Sequence, residues 1–307
     1  MMDWSDRHYR FFMRQVNASA FLYTEMITTG ALIHGDVPRH LDFSKEEHPV
    51  ALQLGGSEPQ DLAQCAKLGE QWGYDEINLN IGCPSERVQK GAFGACLMRE
   101  PELVAECVFQ TRKRVPLAVT VKHRTGVDKV EDYEFLRNFV GTVGQAGCRT
   151  FIVHARNAIL KGLSPKENRE IPPLKYPFVY RLKEDFPQLD IVLNGGITSR
   201  EQIAAQAGKV DGVMLGRAAY HDPWVLSDGV KSRADVVLSM KKYCESLQSV
   251  PLRAVARHML GLYHGTRRAR LWRRMLSDPA QLRRNDPRLL LEALDAVEGA
   301  GSIMQAA

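Results

Sequence analysis

The sequence predicts an α/β fold in which parallel βα units wind into a barrel, followed by a small all-helical domain. Three observations point there. Strand-like runs alternate with helix-like runs over most of the chain. Polar residues recur at the C-terminal ends of those strands, where a (β/α)8 TIM barrel keeps its chemistry. From about Ser232 the alternation stops and only helical patterns follow. A length of 307 residues suits a barrel plus an appendage, and 44% hydrophobic content is enough for a sizeable core. The expected division is a catalytic domain over 1–231 and a helical domain over 232–307.

In chain order, a helix is expected near Asp6–Val16 and a first strand over Ala20–Glu25. Pro49–Leu54 is the second strand, ends in Gly55-Gly56 and precedes a helix over Pro59–Trp72. Glu76–Asn80 is the third, with its helix near Pro101–Lys113. Leu117–Lys122 precedes a helix over Glu131–Ala146, and Thr150–Val153 precedes one over Tyr176–Asp185. Ile191–Leu193 pairs with a helix over Arg200–Ala207, and Gly212–Leu215 with a short helical turn at Asp222–Ser227. Then Ala234–Leu247, Leu252–Leu262, Arg267–Leu276 and Pro287–Ala296 read as helices, separated by Pro251, Gly265 and the Ser277-Asp278-Pro279 turn. A small-residue tail follows Glu298.

This count gives seven strands, whereas a closed barrel of this type has eight. Met1-Met2-Asp3-Trp4 reads as a loop already under way, so a strand is expected upstream of Met1 and the chain is read as shortened at its start.

No run of about 18 apolar residues occurs and no secretory leader pattern opens the chain. Six scattered cysteines without zinc-like spacing read as reduced thiols. His34, His40 and His48 fall in an expected loop without paired ligands, so no metal site is expected. The expectation is a cytoplasmic monomer with no membrane partner. The net charge is +5, but Pro251 to Arg288 holds ten arginines opposed within the segment only by Asp278 and Asp286. Such a local excess suits a polyanion, nucleic acid above all, although solvated helix faces also carry arginine.

Within Glu76–Ser85, a β-compatible run meets the turn residues Gly82, Pro84 and Ser85, which delivers Asn78, Asn80 and Cys83 to a strand end. A cysteine there, without a CxxC partner, is a candidate acid, base or nucleophile; alone it reads equally well as a small buried residue. Gln53, Lys122, His154, Asn194-Gly195-Gly196 and Gly216-Arg217 end other strands, and five such ends in register are hard to assign to core packing alone. The last two are the usual phosphate site of a barrel: glycines let backbone amides approach a phosphate and Arg217 adds charge. Flavin mononucleotide, FMN, accounts for the others, with Lys122 near the charge of the reduced ring, Gln53 at the pyrimidine edge and His154 at the ring or ribityl chain. No G-x-G-x-x-G joins a strand to a helix, so any nicotinamide would visit only transiently.

Asn78-Leu-Asn-Ile-Gly-Cys-Pro84, Val121-Lys-His-Arg-Thr-Gly126, His154-Ala-Arg-Asn157, Leu160-Lys-Gly-Leu-Ser-Pro-Lys-Glu-Asn-Arg169, Asn194-Gly-Gly-Ile197 and Leu215-Gly-Arg217 together resemble the tRNA-dihydrouridine synthases. The Lys161–Pro173 segment looks like the A-type subfamily, which acts at positions 20 and 20a of the D-loop. The resemblance spans nearly the whole chain. It implies a flavin-binding barrel, a helical tRNA-binding domain, and reduction of uridine to 5,6-dihydrouridine with NADPH as reductant. It implies hydride transfer from reduced FMN to C6 of uracil and proton donation by Cys83 to C5, a step open to thiols because their ordinary pKa of about 8.5 leaves them mostly protonated at neutral pH. Flavin contacts are implied at Gln53, Lys122, His154, Asn194, Gly195, Gly196, Gly216 and Arg217. RNA contacts are implied at Asn80, Lys166 and Arg169. Of the family's first, flavin-contacting turn, only Met1 and Met2 remain. Arg156 is placed to assist Asn80 at the base, Lys161 to clamp tRNA beside the active site with Lys166 and Arg169, and Arg270, Arg273 and Arg274 to bind tRNA phosphates.

Two other readings compete. A dihydroorotate dehydrogenase-like barrel acting on a small molecule explains the rim but leaves the basic helices without a task. A non-catalytic RNA-binding protein explains the helices and would lack bound flavin.

Overall fold

The computed structural model describes residues 1–299 apart from Glu131 and Gln248. The expected helix start at Glu131 and the tail from residue 300 onward lie outside the described residues. The described residues form seven strands, β1 (Leu22–Thr28), β2 (Val50–Gly55), β3 (Glu76–Ile81), β4 (Ala118–Arg124), β5 (Thr150–His154), β6 (Asp190–Asn194) and β7 (Gly212–Met214), in one sheet whose spatial order is the sequence order. From β2 to β7 every pairing is parallel. Parallel neighbours require a crossover, and helices supply it, including Pro59–Gln71, Pro101–Arg114, Tyr133–Gln145 and Tyr176–Asp185.

By contacts the chain divides into two compact units. One contains Tyr23–Phe43 and His48–Gly216, and the other Met1–Leu22, Ser44–Glu47 and Arg217–Ala307. In the sheet unit, side chains alternate between faces. Ile77 and Leu79 of β3 face the helices, and Gly69 of the helix Pro59–Gln71 permits that packing. A Cβ on Gly69 would lie 2.7 Å from Leu52 Cδ2 and 2.9 Å from Ile77 Cδ1. The intervening residues Glu76, Asn78 and Asn80 share the opposite face of β3. β2 is buried along its whole length, as expected of a parallel strand covered on both faces.

β1 runs three residues further than expected, to Thr28, because the Thr28 side chain caps the next helix, Thr29–His34. The expected loop carrying His34 and His40 is a correction. His34 ends the helix Thr29–His34 and His40 lies in the helix Val37–Leu41, capped by Asp36. His48 pairs instead with Asp75 at 2.7 Å. Among the described residues no group of three or more metal-ligating side chains forms, and all six cysteines are unpaired.

The regular elements lying wholly within the other unit are helices. Arg7–Val16 contacts Arg233–Ser246 and Leu252–Met259. Arg10 Nε lies 2.6 Å from the buried Glu47 Oε2, and Asp6 Oδ2 accepts from Arg257 at 2.7 Å and faces His258 Nε2 at 3.0 Å. Ser232 and Asp235 form a capping box that starts Arg233–Ser246. A short helix, Pro279–Arg283, absent from the expected set, is capped by Asp278. No described helix is long and apolar enough to cross a membrane.

Candidate active site

Cys83 sits two residues beyond β3, on a turn that Asn80 folds back on itself. Asn80 Oδ1 accepts from the backbone amides of Gly82 at 3.1 Å and Cys83 at 3.0 Å. The Cys83 carbonyl accepts from Ala95 N at 3.0 Å, which ties the other side of the turn to the next loop. The half-buried thiol donates to Ser85 Oγ at 3.5 Å, and Ser85 also caps the helix Glu86–Lys90. Asn80 Nδ2 donates to Gln53 Oε1 at 2.9 Å. The structure therefore joins three expected site residues, Gln53, Asn80 and Cys83, in one hydrogen-bonded set.

A second set forms across β4 and β6. Lys122 Nζ donates to Asn194 Oδ1 at 3.0 Å, and Asn194 Nδ2 donates to Met214 O at 2.8 Å. Burial and the neighbouring Arg124 push the Lys122 ammonium down to about 7, with Cys83 opposing, so the two sets lie within electrostatic reach. An amine titrating there readily shares or changes its proton. His154 is buried at the end of β5. Desolvation, then the charges of Arg124, Lys122, Arg156 and Arg169, hold it well below its ordinary value and keep it neutral.

Gly195 and Gly196 follow β6 with φ of 103° and 78°, the left-handed region that favours glycine. A Cβ on Gly195 would stand 2.5 Å from His154 Cδ2, and one on Gly196 would stand 2.7 Å from Tyr176 Oη. Tyr176 Oη donates to Gly195 O at 2.7 Å, fixing the turn from outside. Gly216 lies beyond β7, and Arg217 opens the helix Arg217–His221 of the other unit.

The segment after β5 is anchored from within. Asn168 is fully buried, accepts from Ile159 N at 2.7 Å and donates to the carbonyls of Ile159, Leu163 and Ser164. Asn157 donates to Val130 O at 2.8 Å and accepts from Thr125 Oγ1 at 3.0 Å. Gln89 Nε2 donates to both Pro84 O and Leu160 O at 2.8 Å, linking the Cys83 turn to this segment. Lys161, Lys166 and Arg169 are exposed on it, and Arg156 donates to Pro172 O.

Sequence reasoning did not single out Arg124. Its guanidinium donates to Gly82 O at 3.1 Å and Asn168 O at 2.9 Å, bracing the Cys83 turn against the segment after β5. Burial, opposed by Cys83 and reinforced by Arg169 and Arg156, pushes it down to about 10. The signal in the sequence is an arginine two residues after Lys122 on one strand, hence on the same face.

Other expected residues lie in the second unit. The Met1 ammonium donates to Ser5 Oγ at 2.6 Å and Met2 is 60% exposed. Arg270, Arg273 and Arg274 are exposed on the helix Ala269–Ser277, whose other face buries Trp272 and Leu276. None of the three forms an ion pair among the described residues. Three arginines of the basic segment are neutralised: Arg257 by Asp6, Arg284 by Asp286 and Glu292, and Arg288 by Asp286.

The sheet-unit rim suits a planar, electron-accepting heterocycle with an anionic tail. Lys122 supplies a cationic donor that no carboxylate neutralises among the described residues, and Gly195-Gly196 present backbone without side chains. Gln53, which also donates to Asn78 Oδ1 at 2.8 Å, keeps one N–H and one lone pair in hand.

The model of the dihydrouridine synthase family matches residues 1–298. A tRNA-dihydrouridine(20/20a) synthase of Synechocystis sp. is 53% identical over 316 aligned residues, covering 99% of this chain and 95% of that protein. Proteins of the same name from Shewanella oneidensis and Escherichia coli are 54% and 53% identical, covering 91% and 97% of this chain and 87% and 90% of theirs. A solved 2-naphthoyl-CoA reductase in complex with 2-naphthoyl-CoA superposes with a TM-score of 0.55 at 12% identity, over 72% of this chain and 46% of that one, a likeness of fold.

Proposed function

The chain belongs to the dihydrouridine synthase family, and from that premise we propose that it reduces uridine to 5,6-dihydrouridine in the D-loop of tRNA, at positions 20 and 20a. FMN is the resident cofactor and NADPH the transient reductant. The same proposal extends to the fold: a flavin barrel of the (β/α)8 type over 1–231, of which the described residues form seven strands, and a helical tRNA-binding domain over 232–307, in a monomeric cytoplasmic enzyme. The observation that carries the reading is Cys83, a half-buried thiol on the turn that Asn80 folds back at the C-terminal end of β3.

FMN, if bound and reduced there, would supply a hydride for C6 of uracil. Cys83 gives the proton to C5 from a thiol oriented by Ser85. Lys122, held by Asn194, would offer positive charge to the cofactor ring, and Gln53 would hold its pyrimidine edge. Gly195, Gly196 and Gly216, with Arg217, take the phosphate, while neutral His154 packs at the ring or ribityl chain. Met1 and Met2 complete the flavin contacts. Asn80 holds the uracil edge once the base has left its stack, a step that costs roughly a few kcal/mol and least in a loop. Lys161, Lys166, Arg169 and Arg156 hold the RNA beside the rim, and Arg270, Arg273 and Arg274 bind phosphates further along.

The test is to incubate the protein with NADPH and an unmodified tRNA transcript and map dihydrouridine by mass spectrometry. Dihydrouridine at positions 20 and 20a, with flavin absorbance in the protein, is the expected result. Rapid NADPH oxidation that leaves the transcript unchanged would instead favour a small-molecule reductase.

A further inference from the structure

We infer that Glu76, at the base of the sheet interior, anchors a one-way chain of hydrogen bonds that positions the Cys83 turn; its catalytic meaning rests on the function proposed above. Barrel interiors are ordinarily filled by branched aliphatic side chains. Here β2, β3 and β4 place five polar side chains there in continuous contact. Thr120 Oγ1 donates to Glu76 Oε1 at 2.6 Å, and Asn78 Nδ2 donates to Thr120 Oγ1 at 2.8 Å. Gln53 Nε2 donates to Asn78 Oδ1, Asn80 Nδ2 donates to Gln53 Oε1, and Asn80 Oδ1 receives the amides of Gly82 and Cys83. Glu76, Asn78, Thr120 and Gln53 are all buried, and the Tyr23 hydroxyl also donates to Glu76.

The direction of the chain follows from its ends. Burial pushes the Glu76 carboxyl up to about 7, against the hydrogen bonds from Thr120 and Tyr23, and in either protonation state an oxygen remains to accept from Thr120. Backbone amides at the other end can only donate. The register makes the relay possible, because Gln53, Asn78 and Thr120 are direct cross-strand neighbours. Each of the three intervening amides therefore has one allowed orientation. Without Glu76, either the Thr120 O–H is left unpaired and buried, or it turns to donate to Asn78, the amides flip in turn and Asn80 presents N–H against the N–H groups of Gly82 and Cys83. Without the Thr120 hydroxyl, Asn78 keeps an unpaired buried N–H or the same flip follows. The flipped outcome reaches the turn that carries the thiol. Glu76, Thr120 and Asn78 are positioning residues.

The isosteric Thr120→Val and the conservative Thr120→Ser test this, with Glu76→Met probing the other end of the link. Three quantities are read on the flavin-loaded protein: the iodoacetamide alkylation rate of Cys83, by peptide mass spectrometry without tRNA; kcat and KM for dihydrouridine formation; and the melting midpoint. In Thr120→Val and Glu76→Met, the Cys83 alkylation rate is expected to shift severalfold and kcat to fall about tenfold, with KM for tRNA within about twofold. Thr120→Ser is expected to restore both. Unchanged Cys83 alkylation in folded Thr120→Val or Glu76→Met overturns the inference, as does a defect that Thr120→Ser fails to rescue. The alkylation arm needs no tRNA, so a wild-type protein that makes no dihydrouridine would sink the proposed function while leaving this arm to decide the positioning role.

Discussion

His123 and Lys122 are adjacent on β4 and face opposite sides of the sheet, and their chemistries part accordingly. Lys122 serves the rim, whereas His123 is fully buried between Phe139 and Phe151, donating from Nδ1 to Arg124 O at 2.7 Å and leaving Nε2 without a hydrogen-bond partner. Burial, with Lys122 adding to it, holds His123 down at about 4, against an ordinary 6.5. The folded state thus favours the neutral ring. Its contribution is fully present above pH 6.5 and is lost as pH falls toward 4, because the unfolded chain binds the proton more readily. Between pH 7 and pH 5 the wild type should lose about 2 kcal/mol of unfolding free energy more than His123→Gln, measured by urea titration of both. Equal losses would mean that His123 does not titrate in this range. The motif Val121–Gly126 was visible in the sequence, but a lysine, a histidine and an arginine in a row do not declare which faces the site. Strand alternation puts Lys122 and Arg124 on one face. The same period of two links Glu76, Asn78 and Asn80, of which only the last two were read as delivered to the rim.

The glycine turn after β6 is an element whose conformation the sequence announces. Asn194-Gly195-Gly196 between a strand and a helix reads as a tight phosphate turn, and both glycines adopt positive φ. Gly195→Ala combines backbone strain with a Cβ on the His154 ring, so a loss of roughly 1–3 kcal/mol in stability is expected together with lower flavin content. Retention of full flavin and full stability would show that the turn can shift without cost. The seven strands were legible because each is a short β-compatible run ended by turn residues. Their ends were less so: β1 extends to Thr28, where a side-chain cap decides the boundary. The two short helices carrying His34 and His40 were read as loop for the same reason, since six and five residues give too little periodicity and the caps Thr28 and Asp36 are ordinary residues out of context. The anchoring of Lys161–Pro173 was also hidden. Asn168 makes it rigid through four hydrogen bonds, yet in sequence it is one polar residue among many.

At the scale of the molecule, the sequence places the basic helices at the C-terminal end, while the fold groups them with Met1–Leu22. No local pattern could show this, because Asp6 meets Arg257 and His258 across about 250 residues of chain. The same pairings change the charge count. Asp6 and Glu292, outside Pro251–Arg288, neutralise arginines within it, whereas Arg270, Arg273 and Arg274 form no ion pair among the described residues. Replacing these three with glutamine should weaken tRNA binding and flatten its salt dependence by about 0.7–0.9 log units per decade of salt for each phosphate no longer neutralised, with NADPH oxidation unchanged. Equal loss of binding and oxidation would assign the arginines to folding.

Separating the two half-reactions in Cys83→Ala decides whether Cys83 donates the proton that completes uridine reduction. Flavin content and its reduction by NADPH should match the wild type, while dihydrouridine formation in tRNA should fall by roughly 10²–10⁴-fold. A Cys83→Ala protein that makes dihydrouridine at the wild-type rate would contradict the account.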